Sequence, residues 1–378
     1  MRILLVGNYQ PDQQQSMQRY AQWLLAALRA MGFTVVLIRP AEYFSKLAIG
    51  PLQQTAVAKY LGYLDKFLIF PGQLSVAARQ YDLVHICDHS NSMYLKATAG
   101  KPAVITCHDV LAIRSALGEF EVTKTGWTGR WLQAWILRGL RKAQEVVCVS
   151  EKTAEDLRRL AGPDERKMHR QVILNPLNWR YKHQPNVSEA LRARLGAIAG
   201  EPYFLHVGGN QWYKNRPGVV RIFRQLASME EFGTARLLLA GKPLTGDLQK
   251  TIAESGVSDR IIALTGTSNE ELETLYSNAL ALIFPSLEEG FGWPIAEAQA
   301  CGCPVATTNR PPMTEVAGGT VILFDPDDPV GAAQAIAAGL RQREQLSEEG
   351  LKNVARFDEE KIVEEYRSLY ASILTGRA

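Results

Sequence analysis

The chain contains 378 residues, of which 46% are hydrophobic and 21% are charged, and its formal net charge is +3. This composition is typical of globular proteins and excludes disordered, collagen-like and coiled-coil chains, and the length predicts two domains. No apolar run reaches the roughly 18 residues that a membrane-spanning helix requires, and the N-terminal run Ile3–Val6 is too short for a signal peptide. Five cysteines, an odd number, indicate no disulfide framework. We therefore expect a reduced, cytoplasmic protein.

Charge is distributed unevenly between the two halves. Residues 1–180 contain 23 Lys and Arg against 14 Asp and Glu, whereas the remaining residues contain 19 against 25. A basic half is suited to an anionic lipid, a phosphorylated acceptor or nucleic acid, although a solvated surface produces the same bias. Because no known nucleic-acid-binding module is present in the sequence, we expect no nucleic-acid partner.

Short apolar runs alternate with helical patterns along the whole chain. The first predicted strand, Ile3–Val6, precedes apolar residues at helical spacing from Met17 to Met31, with Gly32 as the C-cap. The other predicted strands are 35–38, 83–86, 103–106, 146–149 and 172–174 in the first half, and 203–207, 236–240, 261–264, 281–284, 304–307 and 321–324 in the second. Continuous apolar strands are typical of parallel sheets covered by helices. We therefore predict two consecutive doubly wound, Rossmann-like α/β domains.

The segment 175–201 is the predicted connection between these domains. It is poor in strand signals and contains Pro176 and Pro185. We accordingly assign residues 1–180 to an N-terminal domain and residues 181–360 to a C-terminal domain. The spacing of apolar residues in 361–374 predicts a final amphipathic helix.

Two common nucleotide-binding fingerprints are missing from the sequence. Neither Gly7, after the first strand, nor Gly208, after the first strand of the second half, opens a G-x-G-x-x-G sequence, which argues against a nicotinamide dinucleotide site. The sequence also lacks a Walker A motif. In an open α/β sheet the ligand is still expected at the carboxyl ends of the strands.

Two short strings resemble metal-binding motifs. Asp325-Pro326-Asp327 lies between the last predicted strand and a helix, where a loop and an N-cap explain it. Cys301 and Cys303 lack a second pair of zinc ligands, so we interpret them as packing residues. We expect no bound metal.

The most informative segment is 284–298, with the sequence FPSLEEGFGWPIAEA. A predicted strand runs into a glycine-rich turn and then into a helix that Pro294 is suited to begin. Gly290 and Gly292 let backbone N–H groups approach an anionic or polyhydroxyl ligand, and the helix N-terminus adds partial positive charge. Glu289 and Glu297 would then contact two separate parts of one long ligand. The alternative is that Glu289 caps the helix and Glu297 is solvated.

Residues 286–319 resemble the signature of retaining glycosyltransferases of family 4, which have the GT-B architecture. The similar motifs are EGFGWP at 289–294, EA at 297–298, ACGCPV at 300–305 and EVAG at 315–318, with weaker similarity at HVG 206–208, KN 214–215, LAG 239–241 and LY 275–276. The resemblance implies two Rossmann-like domains that face a central cleft. It also implies that the C-terminal helix, 361–378, crosses back to the N-terminal domain.

The resemblance implies a role for each residue of the glycine-rich segment. Glu289 would contact the hydroxyls of the donor sugar near the reacting carbon, and Glu297 would accept hydrogen bonds from the ribose of the nucleotide. The backbone of Gly290, Phe291 and Gly292 would line the sugar and the diphosphate.

A second donor-binding segment starts at Gly208 and includes Lys214 and Asn215. In the resemblance, Lys214 stabilises the charge that develops on the departing nucleoside diphosphate. The family often carries an arginine early in this segment, where this sequence has Gly208, Gly209 and Asn210. Arg216 is a candidate for the missing cation, although we favour its interpretation as a surface helix residue.

In the first half, the family places a histidine against the donor sugar, and His108 at the end of a predicted strand matches it. Asp109 either caps a turn or orients the imidazole. Gly7 begins the first strand-to-helix loop, which is usually glycine-rich in the family. Here the loop continues as NYQPDQQQS without paired glycines, so the role of residues 13–16 towards the acceptor stays open.

The resemblance therefore implies a metal-independent, retaining hexosyltransferase that needs no cofactor besides its nucleotide-sugar donor. GDP-mannose and UDP-glucose are the favoured donors, and the acceptor is a glycan or a lipid-linked sugar in the synthesis of surface polysaccharide or glycolipid. The alternatives are a nucleotide-sugar epimerase of the same fold and a non-catalytic subunit that binds a nucleotide sugar.

Residues 127–142, WTGRWLQAWILRGLRK, combine aromatic and basic side chains at helical spacing. We favour the interpretation that this helix buries its apolar stripe in the domain core and leaves its basic residues in solvent. The alternative is peripheral contact with an anionic membrane, at the inner face of which the protein would meet a lipid-linked acceptor.

Overall fold

The structure is a computed structural model that describes residues 1–47, 56–162, 168–196, 200–319 and 321–376, apart from the side chains of residues 56, 58 and 59. The chain forms two compact units. Unit 1 comprises Met1–Asn178 and Glu359–Ala378, and unit 2 comprises Trp179–Asp358. Within the described ranges, no helix has both the length and the apolar character that crossing a bilayer requires.

Unit 1 is built around a six-stranded parallel sheet of strand order β2-β1-β3-β4-β5-β6. Its strands are β1 (Arg2–Val6), β2 (Thr34–Ile38), β3 (Leu83–Ile86), β4 (Ala103–Cys107), β5 (Glu145–Cys148) and β6 (His169–Val172). Its helices are α1 (Gln15–Ala30), α2 (Ala56–Leu64), α3 (Phe70–Ala78), α4 (Leu111–Ala116), α5 (Trp127–Leu140), α6 (Glu151–Ala161) and α15 (Glu359–Thr375). A π-helical turn, Asp65–Ile69, joins α2 to α3, and a 3₁₀ helix, His89–Ala97, follows β3.

Both faces of this sheet are covered by apolar side chains. One core contains Leu4, Ile86 and Ile105 with the buried residues of α3 and α5. The other contains Ile3 and Leu5 with the buried residues of α1 and α15. Continuous apolar strands therefore form a buried parallel sheet, as the sequence predicts.

The helix α15 packs on unit 1, although the segment that precedes it in sequence, Trp179–Asp358, forms unit 2. Its buried side chains are Ile362, Val363, Tyr366, Leu369 and Tyr370. The hydroxyl of Tyr366 lies 2.5 Å from that of Tyr20 on α1, and the hydroxyl of Tyr370 lies 2.5 Å from His85 Nδ1. The predicted amphipathic helix is thus held by both apolar contacts and buried hydrogen bonds.

Unit 2 repeats the architecture with strand order β12-β11-β10-β7-β8-β9, again all parallel. Its strands are β7 (Tyr203–Gly208), β8 (Arg236–Gly241), β9 (Ile261–Thr265), β10 (Leu282–Phe284), β11 (Val305–Thr308) and β12 (Ile322–Phe324). Its helices are α7 (Glu189–Leu195), α8 (Arg216–Ala227), α9 (Gly246–Ala253), α10 (Asn269–Asn278), α11 (Trp293–Ala300), α12 (Met313–Ala317), α13 (Pro329–Leu340) and α14 (Arg343–Val354). The two parallel sheets, each flanked by helices, confirm the predicted pair of α/β domains.

Two expectations from the sequence need correction, and one helix was not predicted. The sixth strand is His169–Val172 rather than 172–174, because the β-ladder with β5 begins at the polar residue His169. The connecting segment contains the helix that was not predicted, α7, whose N-cap Ser188 accepts a hydrogen bond from the N–H of Leu191. The second correction concerns α5.

The helix α5 buries only part of its apolar stripe. Ile136, Leu137 and Leu140, in its second half, are at most 6% exposed. Trp127 and Trp131, in its first half, are 82% and 64% exposed. The interpretation that the apolar stripe packs in the core is therefore wrong for these two tryptophans, whose side chains lie largely in solvent.

Candidate active site

The glycine-rich segment and the lysine segment follow neighbouring strands of unit 2. The glycine-rich segment follows β10 and the lysine segment follows β7, and Leu282 of β10 pairs with Leu205 of β7. The chain order of the sheet reverses between these two strands, and such a switch point is where open α/β sheets bind ligands. A backbone hydrogen bond of 2.7 Å from Leu287 N to Tyr213 O joins the two segments directly.

Lys214 and Glu289, 75 residues apart in sequence, form an ion pair in this region. The Nζ atom of Lys214 donates to Oε1 of Glu289 over 2.6 Å. The side chains are 16% and 8% exposed, respectively, so the pair is largely shielded from water. Lys214 ends a short 3₁₀ helix, and its Nζ also lies 5.3 Å from the ring centroid of Phe284. The arrangement holds one cation and one carboxylate side by side at the carboxyl end of the sheet.

Asn215 fixes the start of α8 next to this pair. It has a left-handed backbone conformation, with φ of 49°. Its Oδ1 atom accepts a hydrogen bond from Gly218 N, and its Nδ2 atom donates to the carbonyl of Pro285. A Cβ atom on Gly218 would lie 2.4 Å from that amide, so a glycine is needed there. Asn215 thereby links the β7 segment to the end of β10.

Arg216 is buried, with 3% of its surface exposed, so the interpretation as a surface residue is wrong. Its Nη1 atom donates to Asn210 Oδ1 over 2.6 Å and to the carbonyl of Lys242 over 3.0 Å. The Nε and Nη2 atoms have no hydrogen-bond partner in the described part of the chain. Burial lowers the pKa of Arg216, because the charged guanidinium is poorly solvated there.

His206 lies beneath Gly208 and did not emerge as a candidate from the sequence. Its Nδ1 atom donates to the carbonyl of Ile283 over 3.0 Å. Burial lowers the pKa of His206 to about 3, so the ring is neutral at physiological pH. A Cβ atom on Gly208 would lie 2.9 Å from its Nε2 atom, so Gly208 leaves the space that this ring occupies.

The glycine-rich turn ends at Gly292, the N-cap of α11, where φ is 102° and a side chain would be strained. Pro294 lies in the first turn of this helix, as predicted. Phe291, 4% exposed, packs on Phe357 with ring centroids 5.7 Å apart. Gly290 therefore lies in a turn that is anchored on both sides, between the ion-paired Glu289 and the buried Phe291.

Glu297 is a buried residue of α11 with 4% of its surface exposed, so the alternative of a solvated position is wrong. Its Oε2 atom accepts a hydrogen bond of 2.8 Å from the hydroxyl of Tyr276 on α10. Burial, followed by the charge of Glu297, raises the pKa of Tyr276 far above its usual range, so the hydroxyl keeps its proton. Tyr276 was part of a recognised motif, LY at 275–276, but the sequence did not indicate its contact with Glu297.

In unit 1, His108 follows β4 and is 5% exposed. Its Nε2 atom lies 2.9 Å from the carbonyl of Cys87, which can only accept, so Nε2 carries the proton. Burial lowers the pKa of His108, although the charge of Asp88 opposes this effect. The neutral ring therefore presents Nδ1 as an acceptor, and this atom has no partner among the described residues. The ring also contacts Tyr20 edge-on, with centroids 4.6 Å apart.

The loops after β1 and β3 add a polar cluster that the sequence did not indicate. Gly7 continues the β-ladder, since its N–H donates to the carbonyl of Ile38. The side-chain amide of the next residue, Asn8, donates to Asp88 and to Gln14. Burial opposes ionisation of Asp88, but His89 holds the pKa of this carboxyl well below its usual range.

Two smaller predictions concern Asp109 and the metal-like strings. Asp109 Oδ1 accepts a hydrogen bond from Leu111 N, so it caps a turn. Asp325 accepts from Asp327 N, and Asp328 is the N-cap of α13, as a loop and cap predict. In the described ranges no group of three or more His, Cys, Asp or Glu residues is arranged to hold a metal ion. The five cysteines are free and buried.

Comparison with known proteins identifies two family models along the chain. The Glycosyltransferase Family 4 model matches residues 17–178, and the Glycosyl transferases group 1 model matches residues 187–356. Each model thus covers most of one unit.

The sequence is also similar to curated bacterial proteins that are named as glycosyltransferases. It is 28% identical over 292 residues to D-inositol 3-phosphate glycosyltransferase of Nocardia farcinica, which covers 73% of this chain and 62% of that protein. It is 32% identical over 165 residues to O-antigen chain mannosyltransferase B of Escherichia coli, which covers 42% of this chain and 43% of that protein. The alignments thus span less than two thirds of the length of these relatives.

Among solved structures, Anabaena HepE in complex with UDP and glucose is similar over 98% of this chain and 100% of that chain, with a TM-score of 0.73 and 18% identity. At this level of identity the comparison supports the fold.

Proposed function

Because the chain belongs to the family 4 glycosyltransferases, with their GT-B fold, we propose that it is a retaining hexosyltransferase. It would transfer mannose or glucose from a GDP- or UDP-linked donor to a hydroxyl group of a glycan or lipid-linked acceptor. The observation that carries this proposal is the pairing of Lys214 with Glu289, which joins the two predicted donor segments at the switch point of the unit 2 sheet.

Lys214 is proposed to stabilise the departing nucleoside diphosphate. As the glycosidic bond breaks, negative charge develops on the phosphate oxygens, and a fixed cation at the carboxyl end of the sheet lowers the energy of that state. The shielded position of Lys214 makes this interaction stronger than it would be in water. Arg216 is proposed as the second cation of the segment, because two of its guanidinium nitrogens lack partners among the described residues.

Glu289 and Glu297 are proposed to bind opposite ends of the donor. Glu289 would accept hydrogen bonds from the sugar hydroxyls and stabilise positive charge near the reacting carbon, and Glu297 would accept them from the ribose. Tyr276 donates to one oxygen of Glu297, which orients the carboxylate. The backbone of Gly290, Phe291 and Gly292 would line the sugar and diphosphate, supported by Gly208 and Asn215 on the other segment.

His108 is proposed to accept a hydrogen bond from a hydroxyl of the donor sugar through its neutral Nδ1 atom. The hydrogen bond from Nε2 to Cys87 fixes the tautomer that this role requires. Gly7, which follows β1 at the same carboxyl end of the unit 1 sheet, would let the backbone approach the donor phosphates.

The proposed reaction retains the configuration of the anomeric carbon without a metal. Since we assign no residue as a nucleophile, the acceptor hydroxyl would attack the face from which the diphosphate leaves. A phosphate oxygen of the leaving group would take the proton of that hydroxyl. The acceptor oxygen thus gains a bond to the anomeric carbon, and the bond from this carbon to the diphosphate breaks.

The donor and acceptor classes are supported by the relatives. HepE binds UDP and glucose, and the E. coli relative is named as a mannosyltransferase of the O-antigen chain. A lipid-linked acceptor requires access to a membrane, so we propose a cytoplasmic protein that works peripherally at the inner face of the membrane. The free, buried cysteines suit a reducing compartment.

Thermal unfolding with GDP, UDP and the corresponding nucleotide sugars tests the donor site. At a ligand concentration of 100 times Kd, binding to the folded state alone adds about 2.7 kcal/mol of stability. We expect one nucleotide to raise the midpoint, and this shift to disappear in Glu297→Gln and Lys214→Ala. The matched control is the exposed pair Lys250 and Glu254, which are 75% and 66% exposed, where Lys250→Ala and Glu254→Gln should leave the shift intact. If no nucleotide shifts the midpoint, the donor site is assigned wrongly.

A transfer assay separates the proposal from its alternatives. Sugar transfer from the stabilising donor to glycan or glycolipid acceptors supports the transferase. Conversion of the donor to an isomeric nucleotide sugar without acceptor would identify an epimerase. Stabilisation without any turnover of donor across the acceptor panel would identify a non-catalytic binding subunit.

A further inference from the structure

One face of unit 1, formed by α2, the π-helical turn and α5, leaves large apolar side chains in solvent. Tyr60, Leu68, Trp127 and Trp131 are 57%, 66%, 82% and 64% exposed, and we call these four residues the aromatic face. Soluble proteins rarely expose several such side chains next to one another. Tryptophan and tyrosine are enriched where one side of a structure meets the interface of a bilayer.

A chain of ring contacts links two residues of the aromatic face, Tyr60 on α2 and Trp131 on α5. The ring centroids are 6.0 Å apart in Tyr60–Tyr63, 5.5 Å in Tyr63–Phe67, 5.0 Å in Phe67–Trp135 and 5.5 Å in Trp131–Trp135. Phe67 and Trp135 pack against the core beneath them. The exposed rings therefore rest on partly buried rings that pack against the core.

A basic pocket borders this face. It has a volume of about 140 Å³, and Trp135 lines it together with Lys96, Arg138 and Lys142. In the part of the chain that the structure describes, no carboxylate pairs with any of these three cations. The sequence 127–142 also contains no acidic residue. Three unneutralised cations around one pocket are suited to an anionic group.

We propose that the aromatic face and the basic pocket dock unit 1 onto an anionic lipid bilayer. The exposed aromatic and aliphatic side chains enter the headgroup region, and Lys96, Arg138 and Lys142 hold a lipid phosphate. This docking surface would bring the proposed enzyme to a lipid-linked acceptor. Only the presence of that acceptor rests on the proposed function, whereas binding to the bilayer does not.

The charge of the surface favours a bilayer over a second copy of the chain. In a twofold symmetric interface the same patch faces itself, so the three unpaired cations of each copy would approach those of the other. Such like charges repel in the low dielectric of an interface. An anionic bilayer supplies the opposite charge together with an apolar layer for the rings.

Co-sedimentation of the full chain with sucrose-loaded vesicles tests the proposal. We expect binding to phosphatidylcholine vesicles that contain about 30 mol% phosphatidylglycerol, because this anionic lipid gives the vesicles a negative surface potential. Little binding is expected to vesicles of phosphatidylcholine alone. Each basic residue near an anionic surface strengthens binding by about fivefold. The triple variant Lys96→Gln, Arg138→Gln, Lys142→Gln should therefore bind roughly a hundredfold more weakly.

Matched variants separate this surface from general charge and hydrophobicity. Arg221→Gln, Arg224→Gln, Arg341→Gln removes three exposed charges from unit 2 and should leave vesicle binding unchanged within twofold. Trp127→Ser, Trp131→Ser should weaken binding even at low salt, whereas Leu323→Ser, Val330→Ser, which changes exposed residues of unit 2, should not. Because all these side chains are exposed or partly exposed, unchanged thermal midpoints are expected and serve as the folding check.

Four outcomes would overturn the proposal, three of them in vesicle binding and oligomeric state and the fourth in competition with phosphate. The first three are equal binding to neutral and anionic vesicles, equal binding by the two triple variants, and a dimer in sedimentation velocity that Trp127→Ser, Trp131→Ser dissociates. A free phosphate site is distinguished by competition: inorganic phosphate at low millimolar concentration would then displace the vesicles at constant ionic strength, which also argues against docking. None of these readouts depends on nucleotide binding, so failure here leaves the nucleotide-dependent thermal shift as a separate test of the proposed function.

Discussion

Single side chains at the donor segments carry the chemistry that we propose, and Lys214 is the first to test. Its ammonium is held 2.6 Å from Glu289 in a shielded position. Replacing Lys214 with methionine keeps the length of the side chain and removes the charge. We expect kcat to fall by roughly 10²–10³-fold, as for loss of one preorganised stabilising group.

Steady-state transfer assays measure this effect, with Lys250→Met as the control because Lys250 is 75% exposed. A Lys214→Met enzyme with normal kcat and a raised KM would show that the lysine serves ground-state binding only.

Tyr276 is the residue whose role the structure adds. Its hydroxyl donates to Glu297, and Tyr276→Phe removes only this donor. A hydrogen bond to a charged group contributes about 1.5–3 kcal/mol, so a partial loss of orientation should weaken nucleotide binding by roughly tenfold. Calorimetric titration with the nucleotide that stabilises the protein measures the change.

Tyr203→Phe is the matched control for this variant, because the Tyr203 hydroxyl is also buried in unit 2 but donates to the carbonyl of Leu275. Equal losses in the two variants would mean that Tyr276 contributes to stability rather than to donor binding.

The buried histidines make stability depend on pH. Burial lowers the pKa of both His85 and His206 from 6.5 to about 3. As the pH falls below 6.5, the unfolded chain therefore binds these protons before the folded chain does. The contribution of the two neutral rings to the free energy of unfolding is complete above pH 6.5 and is lost as the pH falls from 6.5 to about 3. At pH 5 each histidine should cost about 2 kcal/mol.

Urea unfolding between pH 5 and 8 measures this slope. His206→Gln should reduce the slope of unit 2 by about one proton. A wild-type stability that is flat over this range would contradict the assignment of neutral buried rings.

At the scale of elements, α15 depends on buried hydrogen bonds as well as on apolar packing. The Tyr370 hydroxyl contacts His85, whose other nitrogen contacts Thr106 Oγ1 of β4. Tyr370→Phe leaves one of these buried groups unsatisfied, so we expect unit 1 to lose about 1–3 kcal/mol. Tyr60→Phe, at a 57% exposed position, should change the free energy of unfolding by less than about 0.5 kcal/mol. Urea denaturation of both variants tests this difference.

The elements themselves were largely predictable, because strands buried on both faces leave continuous apolar runs. The predicted strand 83–86 coincides with β3, and 203–207 differs from β7 by one terminal residue. The polar strand His169–Val172 was misplaced because it lies at the edge of the sheet, where pairing with β5 rather than burial determines its start. The helix α7 was missed because it is short and lies in a proline-containing connection.

The site was predictable only where a motif named the residue. Glu289, Glu297 and Lys214 came from recognised motifs, whereas the contact of Glu297 with Tyr276 joins two helices and leaves no signal in local spacing. Arg216 carries a charge that patterns assign to the surface, yet its hydrogen bonds to Asn210 and Lys242 allow it to be buried. Contacts between distant segments are the part of a site that a single sequence does not encode in any readable pattern.

For the molecule as a whole, the path of the chain divides the two units unequally. Unit 2 is one continuous segment, Trp179–Asp358, whereas unit 1 needs the last helix, α15, to complete the core on one face of its sheet. The five buried apolar side chains of α15 each contribute about 2 kcal/mol by their burial, so together they are comparable to the whole stability of a typical domain.

Ending the chain after Asp358 should therefore separate the two units functionally. Without α15, the apolar face of α1 and the polar groups of Tyr20 and His85 lose their partners, so unit 1 should unfold or aggregate. His108, whose ring contacts Tyr20, would lose its position as well.

Unit 2 keeps all of Lys214, Glu289, Tyr276 and Glu297, so the nucleotide should still raise the midpoint of the remaining transition while sugar transfer is lost. Calorimetry of the truncated chain with and without nucleotide measures this. Retention of transfer would show that α15 is dispensable, whereas loss of the nucleotide shift would show that donor binding requires groups of unit 1.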